Sequence, residues 1–239
     1  MATYFVSDIH GEYELFLKLL DQINFNDDDT LFVLGDFLDK GKDSIKLVKF
    51  LMSRLNIKLI IGNHEFFFIS FYQSLMRDYD GNDNIDIVLK RLQEYFPGET
   101  EQITWEIVDF IENLPLYIET DSFICVHACV ELDKNGIMIP IDRQNSNMLV
   151  FDRTFANENK VPRNSKTILF GHTPCNYKNG KGRMIKTPHT TGNDNSKKME
   201  DFAKIQLDNG VAYTKMLGAL CLESMEEFYE KEENYRHVK

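Results

Sequence analysis

The sequence has no apolar run approaching the roughly 18 residues that a membrane span needs. No signal peptide precedes its first apolar run, which begins at Ala2. The expectation is a cytoplasmic protein with no membrane partner. Cysteine is sparse: Cys125, Cys129, Cys175 and Cys221 form neither a Cys-x-x-Cys pair nor a regular framework. That excludes a disulfide scaffold and leaves the thiols reduced. Basic charge is in deficit, with 27 Lys and Arg against 38 Asp and Glu and a formal net charge of −11. Such a surface argues against nonspecific nucleic-acid partners and anionic membranes. A P-loop and a Gly-x-Ser-x-Gly elbow are both missing, so no motif supports a covalent route. Histidine is scarce too, at six residues in 239, and the placement of those six is informative.

Five apolar runs each give way to Asp, Asn or His, usually beside Gly. Ala2–Val6 leads to Ser7-Asp8-Ile9-His10-Gly11. Leu31–Leu34 leads to Gly35-Asp36, with Asp39 three residues on. Ile57–Ile61 leads to Gly62-Asn63-His64-Glu65. Phe123–Val126 leads to His127, and Thr167–Phe170 leads to Gly171-His172. Each run reads as a buried strand. One histidine on an apolar edge is ordinarily a core residue, but four of six at strand exits is a pattern. In open α/β sheets the loops at the carboxyl ends of strands converge, and function gathers there. Imidazoles and hard oxygens collected at such an edge suit Zn, Mn or Fe. About three His, two Asp and one Asn exceed one tetrahedral ion and fit two ions sharing a bridging carboxylate. Cys125 and Cys129 flank His127 and could be read as thiolate ligands, but Cys125 falls inside the apolar run.

In their order these motifs resemble the calcineurin-like metallophosphoesterases, and within them the bacterial and phage serine/threonine phosphoprotein phosphatases. The family patterns are Gly-Asp-x-His-Gly, Gly-Asp-x-x-Asp-Arg-Gly, Gly-Asn-His-Glu, a later His after a strand, and Gly-His-Thr. The resemblance implies two central mixed β-sheets flanked by helices, a four-layer α/β/β/α sandwich, with a helical cap insertion. It implies two divalent metal ions, Mn²⁺ first and Fe or Zn as alternatives. Asp8, His10 and Asp36 would surround one ion; Asp36, Asn63, His127 and His172 would hold the other. His64 would be the general acid, oriented by Asp39. Two departures stand out. Ser7 replaces the first Gly, and Lys40 replaces the phosphate-binding Arg, keeping the charge but losing the bidentate fork. Leu149–Arg153 resembles the family's Trp-x-Arg segment with Phe151 for Trp. Phosphate binding is therefore assigned to Lys40, Asn63 and Arg153, with Arg143 in reserve.

The implied activity is hydrolysis of phosphomonoesters by metal-activated water, with phosphoserine or phosphothreonine proteins as the expected substrate. The alternative is symmetrical hydrolysis of dinucleoside tetraphosphates, a nucleotide substrate cut by the same metal motifs. A third reading is an inactive phosphate-binding module, which the substitution at Lys40 favours and the otherwise complete motif set opposes.

Along the chain, helical spacing covers 12–22 and 43–55, giving a β-α-β pattern that favours parallel pairing. Asp27-Asp28-Asp29 reads as a solvated turn rather than a cation site. Residues 65–76 read as a buried helix whose aromatic residues, Phe66 to Phe68, Phe71 and Tyr72, belong to the core. From 66 to 113 there is helical spacing and no strand signal, so this stretch is expected to be the cap and to govern substrate access. Residues 116–126 read as a hairpin and 145–156 as a short helix. Residues 175–196 read as an exposed excursion, holding His189 and a basic patch of Lys178, Lys181, Arg183 and Lys186. Residues 203–222 read as closing antiparallel strands. The expected domain spans 1–223, and 224–239 form a charged tail, a surface helix or frayed end.

Overall fold

The apolar runs become ten strands in two sheets. The protein was analysed as a computed structural model, which describes residues 1–79, 81, 84–158, 160–163, 166–189, 196 and 198–232. In the first sheet, β1 (Thr3–Val6) lies parallel to β2 (Thr30–Val33), and β2 lies parallel to β3 (Ile57–Leu59). The helices α1 (Tyr13–Gln22) and α2 (Ser44–Met52) make the crossovers. Three further helices follow in the region 63–112: α3 (Asn63–Asp78), α4 (Asp86–Gln93) and α5 (Trp105–Glu112).

The second sheet holds β4 (Tyr117–Glu119), β5 (Phe123–Val126) and β6 (Thr167–Phe170), with α6 (Ser146–Phe151) and α7 (Thr154–Asn157) in the β5–β6 connection. It is completed by α8 (Asn176–Asn179), β7 (Ile185–Pro188) and β8 (Phe202–Gln206). The order is β4-β5-β6-β8-β7, parallel from β5 to β8 and antiparallel at both edges. After the short α9 (Val211–Thr214), the chain returns to the first sheet as β9 (Met216–Cys221) and β10 (Glu227–Lys231), giving β10-β9-β1-β2-β3.

The strands read as unbroken apolar runs because both faces of each are buried. Side chains alternate across a strand. Tyr4 and Val6 of β1 therefore enter a core shared with α1 and α2, while Phe5 enters the layer between the sheets. On β5, Phe123 and Cys125 face that middle layer, and Ile124 and Val126 face the helices beyond. The result is four layers, helix on sheet on sheet on helix. The middle layer centres on three rings from both sheets. Phe5 stacks on Phe32 at 5.3 Å, and Phe123 meets each edge-on at 5.0 and 5.3 Å.

Four expectations change. β8 runs parallel to β6, not antiparallel, because the chain reaches it from the edge strand β7, which lies inside the stretch read as an excursion. Residues 211–214 are one helical turn between left-handed Gly210 and Lys215. Part of the charged C-terminal stretch is the edge strand β10, paired with β9 over five residues. Phe228 faces one core and Tyr229 the other, while Glu227, Glu230 and Lys231 supply the charge that keeps an edge strand from pairing with other chains. Residues 233–239 of the expected tail, and 190–195 of the excursion, lie outside the described residues. Finally, Phe67 is not core: it is 48% exposed, whereas Phe68 is fully buried.

The turn at 27–29 uses its acids locally. Buried Asp29 accepts from the backbone NH of Ala2 and of Asn26, and Asp27 pairs with Arg54 at 3.0 Å. Half of the basic patch is committed as well. Lys186 pairs with Glu227 at 2.7 Å, and Arg183 lies 4.7 Å over the Tyr229 ring, so both serve to hold β10. Among the described residues no helix is long and apolar enough to cross a membrane.

The middle layer is the part of the core that joins the sheets. Phe5→Ala is expected to cost about 3–5 kcal/mol of stability, measured by urea denaturation. A cost below about 1 kcal/mol would show that the sheets are held together elsewhere.

Candidate metal centre

The loops after β1, β2, β3, β5 and β6 meet at one edge. The first two are zipped together by their backbones. His10 NH donates to Asp36 O at 2.9 Å, Gly11 NH to Phe37 O at 2.9 Å, and Gly41 NH to His10 O at 2.8 Å. The crowding shows at Gly35, whose φ is +81°, where a Cβ would lie 2.5 Å from the backbone N of Gly62. Nine non-glycine residues have positive φ among the described residues, and Asp8, His10, Asp36, Asp39, Lys40 and His172 are six of them. Left-handed backbone is costly for such residues, and it concentrates at functional loops.

Asp36 lies at the middle. It is 2% exposed. Its Oδ2 is 3.6 Å from His10 Nε2 and 3.9 Å from His64 Nε2, and its Oδ1 is 3.4 Å from His127 Nε2. Asn63 Oδ1 lies 3.1 Å from His127 Nε2 and 2.8 Å from His172 Nδ1. Two groups of donor atoms lie within 4.8 Å of one another: His10, Asp36 and His64, and Asp36, His127 and His172. Asp36 belongs to both. This set of imidazole nitrogens with carboxylate and amide oxygens, and no thiolate, fits divalent Mn, Fe or Zn. Asp8 stands beside these groups. It is buried, its Oδ2 accepts the backbone NH of His172 at 3.0 Å, and the Ser7 hydroxyl also donates to it. Ser7 therefore engages a candidate ligand directly, which a Gly could not do.

The electrostatics separate the imidazoles. Burial lowers His10 to about 4 and His172 to about 3, so both are neutral and have a lone pair to give. Burial also pulls His127 down, but the Asp36 charge and hydrogen bond outweigh it, and the ring rises to about 10. An ion taking this imidazole must displace that proton. Burial raises Asp8 to about 6, helped by the Asp36 charge and opposed by His127.

His64 starts α3 and sits at the rim. Its Nδ1 is 2.7 Å from Asp39 Oδ2, which fixes the ring and leaves Nε2 facing the centre. Burial lowers it, but the Asp39 bond and the Asp36 charge together hold it above the usual histidine range. Tyr95, from the 63–112 helical region, donates to the same Asp39 oxygen at 3.1 Å. Lys40 Nζ lies 2.9 Å from His10 Nε2. A small solvent-open cleft is lined by Lys40 and Arg153 together with Asp8, His10 and His172. Arg143, on the single turn Ile141–Arg143, does not line it. His189 lies outside both donor groups. Cys125 and Cys129 also lie outside them, and burial pushes the Cys129 thiol up to about 11.

Two residues to which sequence reasoning gave no part shape this edge. Glu65 is fully buried. Its carboxylate accepts three backbone NH groups, from Asp36 at 2.7 Å, Gly62 at 2.8 Å and Leu38 at 2.9 Å. It ties the β2 and β3 exits together, and burial raises it to about 7. Its place in Gly-Asn-His-Glu was the available signal. Asp208 accepts the Gly210 NH at 2.7 Å and lines the cleft; the Asp-x-Gly after a strand resembles the end of the family pattern, which gave the residue no role.

The family model for calcineurin-like phosphoesterases matches residues 1–214. A symmetrical bis(5'-nucleosyl)-tetraphosphatase of Buchnera aphidicola is 37% identical over 107 residues, 44% of this chain and 37% of the relative. The enzyme of that name from Vibrio campbellii is 31% identical over 130 residues, 54% of this chain and 44% of the relative. The chain thus spans less than half the length of either relative. Among solved structures, a protein provisionally named diadenosine tetraphosphatase superposes with a TM-score of 0.66 at 19% identity, covering 98% of this chain and 95% of its own. A metallophosphoesterase from Sphaerobacter thermophilus gives 0.58 at 15%, covering 99% and 90%. At these identities the structures speak for the fold.

Glu65 orients the loops that carry Asp36 and Asn63. Glu65→Gln replaces an oxygen that takes two NH donors with one amide group in conflict. Titration calorimetry is expected to show Mn²⁺ affinity falling roughly 10–100-fold. Unchanged affinity would show that the loops hold their shape without this carboxylate.

Proposed function

The chain belongs to the calcineurin-like phosphoesterase family, and from that membership we propose that it is a dimetal phosphohydrolase that cleaves dinucleoside tetraphosphates symmetrically. The observation that carries the dimetal reading is the shared place of Asp36 in two donor groups. The choice of substrate leans on the relatives' names, and the cleft is consistent with it. Lys40 and Arg153 add two cationic side chains beside the donor groups, which suits the phosphoryl oxygens of either substrate. Neither of the two curated relatives described above is named for a phosphoserine or phosphothreonine phosphatase.

Asp8, His10 and Asp36 would hold one ion and Asp36, Asn63, His127 and His172 the other. When bound, the ions supply Lewis acidity and lower the pKa of coordinated water. The protein's own groups do the rest. Lys40, Arg153 and the Asn63 amide hold the phosphoryl oxygens and meet the charge that builds on them. The oxygen of water bonds to phosphorus, and the anhydride P–O bond breaks with its electron pair on the bridging oxygen. His64 Nε2 gives that oxygen a proton, and the proton lost by water passes to solvent. Asp39 keeps His64 in the donating orientation, and the Asp39 bond and the field of Asp36, working against burial, favour its protonated form. Both products are nucleoside diphosphates.

The demand on His64 depends on what leaves. A departing phosphate oxygen has a pKa near 6, whereas a departing alkoxide is closer to water at about 15.7. General-acid help is worth roughly 10²–10⁴-fold where it is needed. Mn²⁺-loaded protein should cleave diadenosine tetraphosphate to ADP with a higher kcat/KM than a phosphoserine peptide. His64→Asn should retain metal and lower kcat on the dinucleotide by less than about 10²-fold, with a larger loss on any phosphoserine substrate. A preference for the peptide would return the chain to the protein phosphatase reading. Loss of metal in His64→Asn would move His64 from acid to ligand.

A further inference from the structure

Among the described residues, the exposed aromatic side chains are Phe67, Tyr177 and Tyr213, at 48%, 67% and 51% exposure. All three border the metal centre. Tyr177 and Tyr213 line the cleft with Lys40 and Arg153. The Phe67 ring centroid lies 6.1 Å from that of His64. Scattered apolar residues on a surface are ordinary. Three rings gathered at the one edge that carries the chemistry, each with about half its surface in water, are not explained by packing.

The Phe67 ring and the two turns that carry the tyrosines are also held in place. Phe67 rests against Phe151 at 5.4 Å between centroids. Tyr213 rides on α9, whose Thr214 hydroxyl donates to Asn209 O and Gly210 O at 3.1 Å. Tyr177 NH donates to Pro174 O at 3.2 Å, and Pro174 packs against Gly210. The two tyrosine-bearing turns therefore support each other. A pre-placed ring loses little freedom when something stacks on it.

We propose that these rings are two stacking platforms for the two bases of a dinucleoside polyphosphate, Phe67 on the His64 side and Tyr177 with Tyr213 on the cleft side. The assignment rests on the substrate reading above. His64 delivers its proton to the departing nucleotide, so that half lies beside Phe67. The half that keeps the attacked phosphorus lies along Lys40 and Arg153 toward the tyrosines. The cleft is small and open to solvent, and Phe67 is not among the residues that line it. A second platform outside the cleft is what a substrate with two bases requires.

The test uses the Mn²⁺-loaded protein carrying Tyr177→Ala with Tyr213→Ala, or Phe67→Ala. Three readouts are taken: kinetics on diadenosine tetraphosphate, kinetics on inorganic tripolyphosphate, which has no base, and calorimetric affinity for ADP. Ring loss is expected to raise KM for the dinucleotide roughly 5- to 150-fold relative to KM for tripolyphosphate, with kcat moving less. ADP affinity should fall with the tyrosines. Tyr177→Phe with Tyr213→Phe, and Phe67→Tyr, should restore the parent values. An equal loss on both substrates would reduce the rings to a structural role and overturn the proposal. Cleavage of the dinucleotide with no dependence on the rings would overturn the platforms and leave the substrate reading intact. Ring-dependent ADP binding without dinucleotide cleavage would do the reverse. ADP binding that ignores the rings would also overturn the platforms.

Discussion

One carboxylate sets the terms for this structure. Asp36 is almost fully buried, and an ionised group removed from water costs several kcal/mol unless charge and hydrogen bonds are returned to it. The chain returns them from several directions: His10 from the first strand exit, the His64 NH and ring from the third, and His127 from the second sheet. The loops that carry His10, His64 and His127 are thus recruited to one spot, within 3.9 Å of the Asp36 carboxylate. Glu65 extends the logic outward, since the backbone that presents Asp36 is itself pinned by a buried acid.

The convergence has a conformational cost that the loops display openly. Asp8, His10, Asp36, Asp39, Lys40 and His172 all adopt left-handed backbone. Asp and His tolerate that region better than most residues, while Lys gains little there. Such strain persists only where surrounding contacts determine the loop, and the ladder between the first two loops does so.

Much of this edge was legible in the sequence. Five apolar runs ending in Asp, Asn or His marked the strands and their functional ends, because burial on both faces and a fixed loop position leave local traces. Asp8, His10, Asp36, Asn63, His64, His127 and His172 lie together at one edge of the two sheets. Strand pairing was less legible. β8 and β9 look alike as runs, yet one joins the second sheet in parallel and the other the first in antiparallel, a choice made by partners far along the chain. β10 was hidden because edge strands carry charge, and a charged run looks like a tail. Phe67 was misplaced because its neighbours Phe66 and Phe68 do pack inward, and helical phase over three adjacent aromatic residues is ambiguous. Tyr177 and Tyr213 had no local signal at all. Their turns come together through contacts such as that of Pro174 with Gly210.

The ring layer between the sheets has a consequence for how such a molecule can change over time. Asp36 and Asn63 hang from one sheet, His127 and His172 from the other. A centre assembled across a seam is only as well aligned as the seam. Phe5, Phe32 and Phe123 act as alignment pins: a shift of one sheet over the other by an ångström would part the two halves of the donor set without touching any of its members. Outer helices and rim loops can therefore be lengthened, replaced or re-lined to suit a different ligand, while the plain apolar interface beneath them is bound to stay in register.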